Sequence, residues 1–395
     1  MRSLTGLLVG YTILIAGNSL LTTLVSLRML EAESSALDVG LVQSCYFVGF
    51  IVGAVALGPL VANLGSQRSF ISFGAVAALA AAGYLFFGAP REWAALRLVT
   101  GFCMVGIFTS IESGVNGAVA NGKRGRAFSL YLLLTFLGVS SGQMLLGVCP
   151  KAGDADRIVV NALFLCAIIP VALIGEWKQP APKIAASSPR PTLSQRAAVL
   201  FDGLRVLLRA APRSVPGAIG AGLLSSAFYA LTPVYLARVD FPTSDISQVM
   251  AVAVIGGLLS QWPVGKLSDL VGRRAALGTV SLAAAFSSVL LVFVRTLGVV
   301  DVLLFFYVAL TFTFYGVIAS DANDRVDEAQ RVSTSATLLL VFSIGGAFGP
   351  ALASLFMKSL GAGGLYVFSL FVTLGLAALS FARNEPRARR TTFDR

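Results

Sequence analysis

The sequence predicts an all-α integral membrane protein with twelve transmembrane helices, arranged as two pseudo-symmetric six-helix halves. Three observations predict this fold class. The first is composition, since 56% of the 395 residues are hydrophobic and only 12% are charged, too few charges for a soluble domain of this size. The second is a series of apolar runs of roughly 19 to 25 residues, each long enough to cross a bilayer as a helix. The third is an internal repeat, in which residues of the second half match residues 207 positions earlier.

The expected spans follow the chain with six in each half. Their boundaries, read from the apolar runs, are 4–27, 37–61, 69–89, 93–117, 127–148, 157–175, 213–237, 244–264, 274–294, 299–320, 332–356 and 362–382. The first run is too long for a signal-peptide core, so we expect it to remain as a membrane helix. An even number of spans places both termini on the same side of the membrane.

Lys and Arg are unevenly distributed between the two faces that these spans define. With the termini in the cytoplasm, 22 of the 30 basic residues fall on the cytoplasmic face and 7 on the opposite face, which leaves Arg97 inside a span. Because cytoplasmic loops are enriched in Lys and Arg, we predict a multi-pass protein of the inner (cytoplasmic) membrane with both termini cytoplasmic. The same distribution accounts for the net charge of +11 without a nucleic-acid partner. The expected partners are the lipid bilayer and a small-molecule substrate, and the expected working unit is a monomer.

One long polar segment divides the chain. We expect an N-terminal half over 1–175, a cytoplasmic linker over 176–212, a C-terminal half over 213–382 and a basic cytoplasmic tail over 383–395. Apolar residues recur at three- and four-residue spacing within the linker, at Leu193, Ala197, Leu200, Leu204, Leu207 and Leu208. This spacing indicates a short amphipathic helix. Two interpretations remain open, a helix on the inner membrane surface or a soluble linker helix that covers the cytoplasmic ends of the halves.

A short charged segment separates the eighth and ninth spans. It runs from Gly265 through Asp269 and Gly272 to Arg273 and Arg274. The two glycines allow a tight turn where helices meet, and the carboxylate of Asp269 can pair with either arginine. The segment resembles the loop signature Gly-x-x-x-Asp-x-x-Gly-Arg-Arg of the major facilitator superfamily, which lies between the second and third helices of each half in that family.

The signature recurs in weakened form 207 residues earlier. Gly58, Gly65 and Arg68 keep both glycines and a basic residue, but Ala62 stands where the second copy has its acid. We therefore expect a weaker charged contact in the N-terminal half. Two further acids, Asp321 and Asp324, close the tenth span, where they either form local salt bridges or join the second copy as a gate.

Two charged residues, Arg97 and Glu112, fall within the fourth span, where a charge must be paired or face a cavity. Arg97 precedes Gly101 by four residues and resembles the fourth-helix signature of the superfamily, in which the arginine is associated with proton or substrate coupling; the alternative is a residue that braces the fold. Glu112 is expected to be buried among apolar helices, where it is a candidate proton carrier or, alternatively, a structural acid that pairs with Arg68, Lys123 or Arg126. A separation of fifteen residues, about 22 Å of helical rise, prevents direct pairing of the two.

The resemblance implies a central cavity lined by the first, fourth, seventh and tenth spans. Polar and aromatic residues of these spans, with three from the second, fifth and eighth, are the candidate lining: Asn18, Thr22, Gln43, Phe108, Thr109, Tyr131, Phe228, Tyr229, Thr232, Gln261, Tyr307, Thr311 and Tyr315. Such a lining favours a small amphipathic, neutral or weakly charged solute over a substrate with several charges.

Enzyme signatures are missing from the sequence. There is no histidine, no metal-ligand spacing among the four cysteines and no phosphate-binding glycine loop followed by Lys-Ser/Thr. We therefore expect no enzymatic activity and no bound metal or cofactor, with a proton gradient as the energy source.

Several short stretches resemble the uncharacterised bacterial YcaD-like branch of the superfamily, among them Ser44 to Gly49, Arg124 to Arg126 and Gln261 to Gly265. The resemblance implies a secondary active transporter that works by alternating access, and our first hypothesis is proton-coupled export (efflux) of a small amphipathic solute. The alternatives are metabolite uptake by symport or facilitated diffusion, and a non-transporting membrane receptor or scaffold with the same fold.

Overall fold

The computed structural model describes residues 2–118, 124–149, 153–174, 193–327 and 330–382. Within these ranges the chain forms helices joined by short turns, without strands. In chain order these helices are α1 (Arg2–Glu31), α2 (Ala36–Ala56), α3 (Gly58–Leu64), α4 (Ser66–Gly83), α5 (Pro90–Ala118), α6 (Arg124–Val148), α7 (Ala155–Ala172), α8 (Leu193–Ala210), α9 (Ser214–Arg238), α10 (Thr243–Leu259), α11 (Gln261–Val271), α12 (Arg273–Phe293), α13 (Leu297–Thr311), α14 (Phe314–Asn323), α15 (Arg331–Leu360) and α16 (Gly364–Phe381). Residues 176–192 of the linker and the predicted tail lie outside the described residues.

The described helices account for twelve membrane spans. Eleven stretches are long and apolar enough to cross a bilayer, and two of these combine consecutive helices, α10 with α11 and α13 with α14. The remaining span is α4, whose first turn (Ser66 to Ser69) is polar and lowers its mean hydropathy. The structure thus confirms the predicted fold class, an all-helical membrane protein of two six-helix halves.

Glycine forms the turn in both copies of the charged loop. Gly65, between α3 and α4, has φ 77°, and Gly272, between α11 and α12, has φ 89°, a region that side chains with a Cβ rarely adopt. These two glycines lie 207 residues apart and have similar backbone conformations, so the internal repeat of the sequence is also a repeat of local structure. The expectation that both glycines of each copy serve the turn was wrong, because Gly58 and Gly265 lie within helices and a Cβ at either would meet open space.

The two halves pack on each other through α2 against α15 and α6 against α10. Their polar contacts lie at the end of the bundle where α1 meets α2, which we call the α1–α2 end. Ser26, on α1, donates to the carbonyl oxygen of Ala230 on α9 at 2.7 Å. Ser247, on α10, donates to the carbonyl oxygen of Gln143 on α6 at 2.6 Å. We call the surface that these four residues define the seam; it closes the space between the halves at this end.

The linker helix α8 packs mainly against α15 of the C-terminal half and also contacts α2 of the N-terminal half and α9. Leu207 is fully buried in the apolar cluster of the C-terminal half, whereas Val199, Phe201 and Leu208 are more than half exposed. One face of α8 therefore lies against the C-terminal half and reaches α2 of the N-terminal half. Its flanks remain apolar and exposed, which is the feature that the membrane-surface interpretation requires.

Candidate functional site

A cavity of about 360 Å³ lies between the two halves, a volume within the range of small-molecule sites. Its walls come from α1, α2, α5 and α6 of the N-terminal half and from α9 and α15 of the C-terminal half. The aromatic residues of the lining are Tyr46, Phe47, Phe50, Phe108, Tyr131, Tyr229 and Phe342. The uncharged polar residues are Asn18, Ser19, Thr22, Gln43, Thr135, Ser226 and Ser343. Among the described lining residues two are charged, Arg97 and Glu112.

Arg97 is buried and held by uncharged partners. Its side chain lies on α5 and the residue is 2% exposed. Its Nε donates to Oε1 of Gln43 at 2.9 Å, and Nη2 donates to the same oxygen and, at 2.9 Å, to Oγ1 of Thr22. The guanidinium carbon lies 5.0 Å from the centre of the Tyr46 ring, within the range of a cation–π contact. The remaining nitrogen, Nη1, is buried without a hydrogen-bond partner among the described residues.

Gln43 connects this arginine to the seam. Its Nε2 donates to the carbonyl oxygen of Thr22 at 2.8 Å and to Oγ of Ser26 at 2.7 Å. Ser26 in turn donates to Ala230 across the seam. The hydrogen-bonded chain from Arg97 through Gln43 and Ser26 to Ala230 therefore joins the base of the cavity to the contact between the halves.

Close packing of α2 on α5 brings Gln43 opposite Arg97. A Cβ at Gly101 would clash with the carbonyl oxygen of Tyr46, and one at Gly49 would clash with the carbonyl oxygen of Leu98. Only glycine permits this backbone approach. The pair of glycines thus positions the side chains that form the base of the cavity.

Glu112 lies on the same helix as Arg97, about 22 Å further along by helical rise, and both line the one cavity. Sequence reasoning expected Glu112 to be buried among apolar helices, but its side chain is exposed to the cavity. In the described part of the chain it forms no ion pair or hydrogen bond, so the contacts considered for a structural acid, with Arg68 or Arg126, are not formed. Lys123 lies outside the described residues.

The structure brings six of the predicted cavity residues together. These are Asn18, Thr22, Gln43, Phe108, Tyr131 and Tyr229. Seven others do not line this cavity: Thr109, Phe228, Thr232, Gln261, Tyr307, Thr311 and Tyr315.

Hydrogen bonds within the C-terminal half direct several of these side chains away from the cavity. Tyr307 donates to Oγ of Ser369 on α16 at 3.0 Å, and Thr311 donates back to the carbonyl oxygen of Tyr307 at 2.8 Å. The hydroxyl groups of Thr232 and Tyr366 lie 3.3 Å apart. The tenth span, α13 and α14, is thus packed against its own half, and the expectation that it lines the cavity was wrong for this structure.

Sequence reasoning missed the contribution of α15 and the aromatic contribution of α2, from which it named Gln43 alone. Tyr46 and Phe50 are four residues apart on α2, and Leu339, Phe342 and Ser343 have spacings of three and four on α15. Residues at these spacings share one helix face. This periodicity was the available signal for both walls.

The second copy of the charged loop forms a cluster within the C-terminal half. Nη1 of Arg273 lies 2.6 Å from Oδ1 of Asp269, and its Nε lies 3.2 Å from Oδ2 of Asp324. Nη2 of Arg325 lies 3.0 Å from Oδ1 of Asp321. Because the side chains of Asp269 and Asp324 are 67% and 60% exposed, these pairs are screened by solvent. They link α11, α12 and α14 of one half and form no contact between halves.

The first copy uses an amide in place of the missing ion pair. With Ala62 in the acid position, Arg68 has no ion-pair partner among the described residues. Gln67 instead donates through Nε2 to the carbonyl oxygens of Val171 and Ile174, at 3.0 and 2.8 Å. In the N-terminal half, hydrogen bonds between uncharged groups therefore join α4 to the end of α7. Sequence reasoning did not predict these bonds.

Comparison with known proteins agrees with this architecture. The family model described as Major Facilitator Superfamily matches residues 7–333. Curated relatives named "Uncharacterized MFS-type transporter YcaD", from Salmonella newport (strain SL254) and Salmonella typhi, are each 28% identical over 355 residues, covering 89% of this chain and 88% of the relative.

Solved structures share the fold at low sequence identity. The crystal structure of the nucleoside transporter NupG has a TM-score of 0.79 at 15% identity, covering 96% of this chain and 98% of that one. A bacterial homologue of the human lysosomal transporter Spinster, in an inward-facing and unoccupied conformation, has a TM-score of 0.76 at 15% identity, covering 96% and 95%. With the family model matching most of the chain, the protein belongs to the Major Facilitator Superfamily.

Proposed function

We propose that this membrane transporter exports a small amphipathic solute by alternating access, driven by protons that bind and leave Glu112. The observation that carries the proposal is the cavity between the halves, which is closed at the α1–α2 end by the seam and contains a single unpaired carboxylate among the described residues. Such a cavity can present one site to each side of the membrane in turn when the halves rock.

The lining supports a solute with an apolar or aromatic body and few charges. Seven aromatic side chains and seven uncharged polar ones face the same space. Aromatic walls bind flat apolar groups, while amide and hydroxyl groups orient a small number of polar atoms. A sugar phosphate or a dicarboxylate would need several basic residues, and Arg97 is the single basic residue of the described lining.

The predicted orientation supports loading from the cytoplasm. If the termini are cytoplasmic, the α1–α2 end is periplasmic, so the seam closes the periplasmic side. Ser26 and Ser247 lie within a few residues of that end on α1 and α10. This is the conformation from which an exporter takes up its solute.

Glu112 suits a proton carrier because it lacks a salt-bridge partner in the described chain. Its proton can be exchanged without breaking an ion pair, and its exposure to the cavity gives the proton a path. Arg97 lies at the other end of the cavity, where its fixed positive charge acts on the same space. We propose that it is the electrostatic partner of Glu112 across the cavity.

Transport in proteoliposomes tests the proposal. Protein inserted in both orientations is given a pH gradient of either sign, and accumulation of each solute of a panel that includes amphipathic compounds and nucleosides is measured. We expect solute to accumulate inside vesicles whose interior is acidic, because protons that leave drive solute in the opposite direction. Glu112→Gln should abolish this accumulation and retain solute binding. Asp202→Asn is the matched control, since Asp202 lies on α8 with a side chain 69% exposed.

Each other outcome selects a different function. Co-directional movement of solute and protons identifies uptake by symport, and movement that ignores both the gradient and Glu112→Gln identifies facilitated diffusion. Solutes that bind and never cross the membrane would favour a receptor or scaffold.

A further inference from the structure

We infer that the solute carries one carboxylate, and that this carboxylate binds Arg97 through its Nη1 group at the base of the cavity. The inference rests on the proposed function, since it names the solute class of the same cavity. The geometry of the arginine, its charge balance and the polar groups beside it each support it.

The first step is the donor count of Arg97. A guanidinium carries five N–H groups; the bonds from Nε and Nη2 to Gln43 and Thr22 use three of them. The two N–H groups of Nη1 are buried and have no partner among the described residues. Buried donors of this kind are nearly always satisfied in proteins, so this side chain is incomplete without a further acceptor.

The second step is charge. The acceptors around Arg97 are an amide oxygen and a hydroxyl, and its other neighbours include the ring of Tyr46 and the side chains of Tyr84 and Cys45. None of these groups is anionic. Glu112, the one acid of the described lining, lies about 22 Å away by helical rise. A buried guanidinium whose neighbours are all neutral favours an anionic ligand, because burial of an unpaired charge is costly.

The third step is the chemistry of the anion. A carboxylate accepts hydrogen bonds through two oxygens and matches the guanidinium in geometry. A phosphate monoester carries nearly two charges, whereas the described lining offers a single basic residue. The aromatic walls beside Arg97 then hold the apolar part of the same molecule.

Asn18 adds a second polar feature one helical turn from Thr22 on the same face of α1. Its Oδ1 is buried and has no hydrogen-bond partner among the described residues, although the Tyr46 hydroxyl lies close by. An acceptor that is unpartnered in the described chain and lies one helical turn from Thr22, which binds Arg97, favours a solute with an N–H or O–H group beside its carboxylate. An α-hydroxy acid with an aryl group is an example of this chemistry.

The experiment uses matched triads of probes. For phenyl, indolyl and octyl bodies, the carboxylic acid, the primary amide and the amine are compared by ligand-induced thermal stabilisation of the purified full-length protein at neutral pH. We expect the acids to stabilise the protein, with the amides and amines binding at least tenfold more weakly. Equal stabilisation by amides or amines, or none by any acid, would overturn the inference. Sodium chloride that reproduces the effect would overturn it in favour of an inorganic anion.

Three variants assign the effect to Arg97. Arg97→Gln should weaken acid binding about 30-fold or more, as expected when one partner of a buried charged pair is removed. Gln43→Glu retains the size of the side chain and places a carboxylate on the guanidinium, so it should abolish the preference for acids even if Arg97→Gln fails to fold. Arg205→Gln is the control, since Arg205 lies on α8 with a side chain 73% exposed. Acid binding that survives Gln43→Glu would contradict the proposed site.

The inference and the proposed function fail separately. Acids that bind through Arg97 but are not transported in response to a proton gradient would support the carboxylate site and contradict proton-coupled export. A neutral solute whose export depends on Glu112 would support the proposed function and contradict the inference that the solute carries a carboxylate.

Discussion

Replacement of Gln43 by leucine should destabilise the protein through Arg97. The substitution removes the amide oxygen that accepts two bonds from the guanidinium and the nitrogen that donates to Thr22 and Ser26. Hydrogen bonds to charged groups contribute about 1.5–3 kcal/mol each, and Gln43 accepts two of them from Arg97. We expect the free energy of unfolding to fall by about 4 kcal/mol. At about 2 °C per kcal/mol for a chain of this size, Tm should fall by about 8 °C.

The double variant Gln43→Leu/Arg97→Leu separates this network from simple packing. With both partners apolar, no buried donor of Arg97 is left without an acceptor, so the double variant should recover about 2–3 kcal/mol relative to the sum of the single variants. Thermal unfolding in one detergent compares the wild type, Gln43→Leu, Arg97→Leu and the double variant, with Gln261→Leu as an exposed control. Losses that add within about 0.5 kcal/mol would refute the idea that Arg97 depends on Gln43.

Three further predictions concern the turns, the seam and the charged cluster. Gly272→Ala should lower stability by about 1–2 kcal/mol because of its positive φ, whereas Gly265→Ala should leave Tm unchanged or raise it, and thermal unfolding of the two variants compares them. Ser26→Ala should weaken the seam by about 1 kcal/mol, which shifts the ratio of the two conformations about fivefold toward opening at the α1–α2 end; distances between spin labels on the two halves report this ratio, and an unchanged distance distribution would exclude the role. Asp269→Asn should change stability by less than about 1 kcal/mol because the pair with Arg273 is exposed, and any loss should shrink in high salt, as thermal unfolding at two salt concentrations would detect.

The sequence predicted the features that depend on composition, length and local pattern. The spans follow from hydrophobic length, and the turn at Gly272 and the pairing of Asp269 with Arg273 follow from a charged loop with glycine at a tight turn. The fourth-span arginine was singled out because a charge within the membrane needs a partner or a cavity. Its partner Gln43 was among the expected cavity residues, although the hydrogen bonds between the two were not anticipated.

The faces of the helices could not be predicted in the same way. In a membrane, the side chains that contact lipid are as apolar as those that contact other helices, so the pattern that orients an amphipathic helix in water is weak. Tyr307 and Thr311 looked like cavity residues because they are polar, yet their hydroxyl groups bond within the C-terminal half. Conversely, Phe342 lines the cavity although nothing in its residue type distinguishes it from a side chain that contacts lipid.

The division of the cavity between the halves determines which residues can couple solute binding to conformation. A ligand shifts an equilibrium only to the extent that it binds one state better than the other. Arg97, Gln43 and Asn18 all belong to the N-terminal half and would move with it as a unit, so contacts with them alone contribute affinity in both states. A difference between states has to come from the facing wall, where Tyr229 and Phe342 approach the same space from α9 and α15. Substitutions at Arg97 should therefore change solute affinity in either conformation, whereas substitutions at Tyr229 should change how strongly a bound solute favours one conformation over the other.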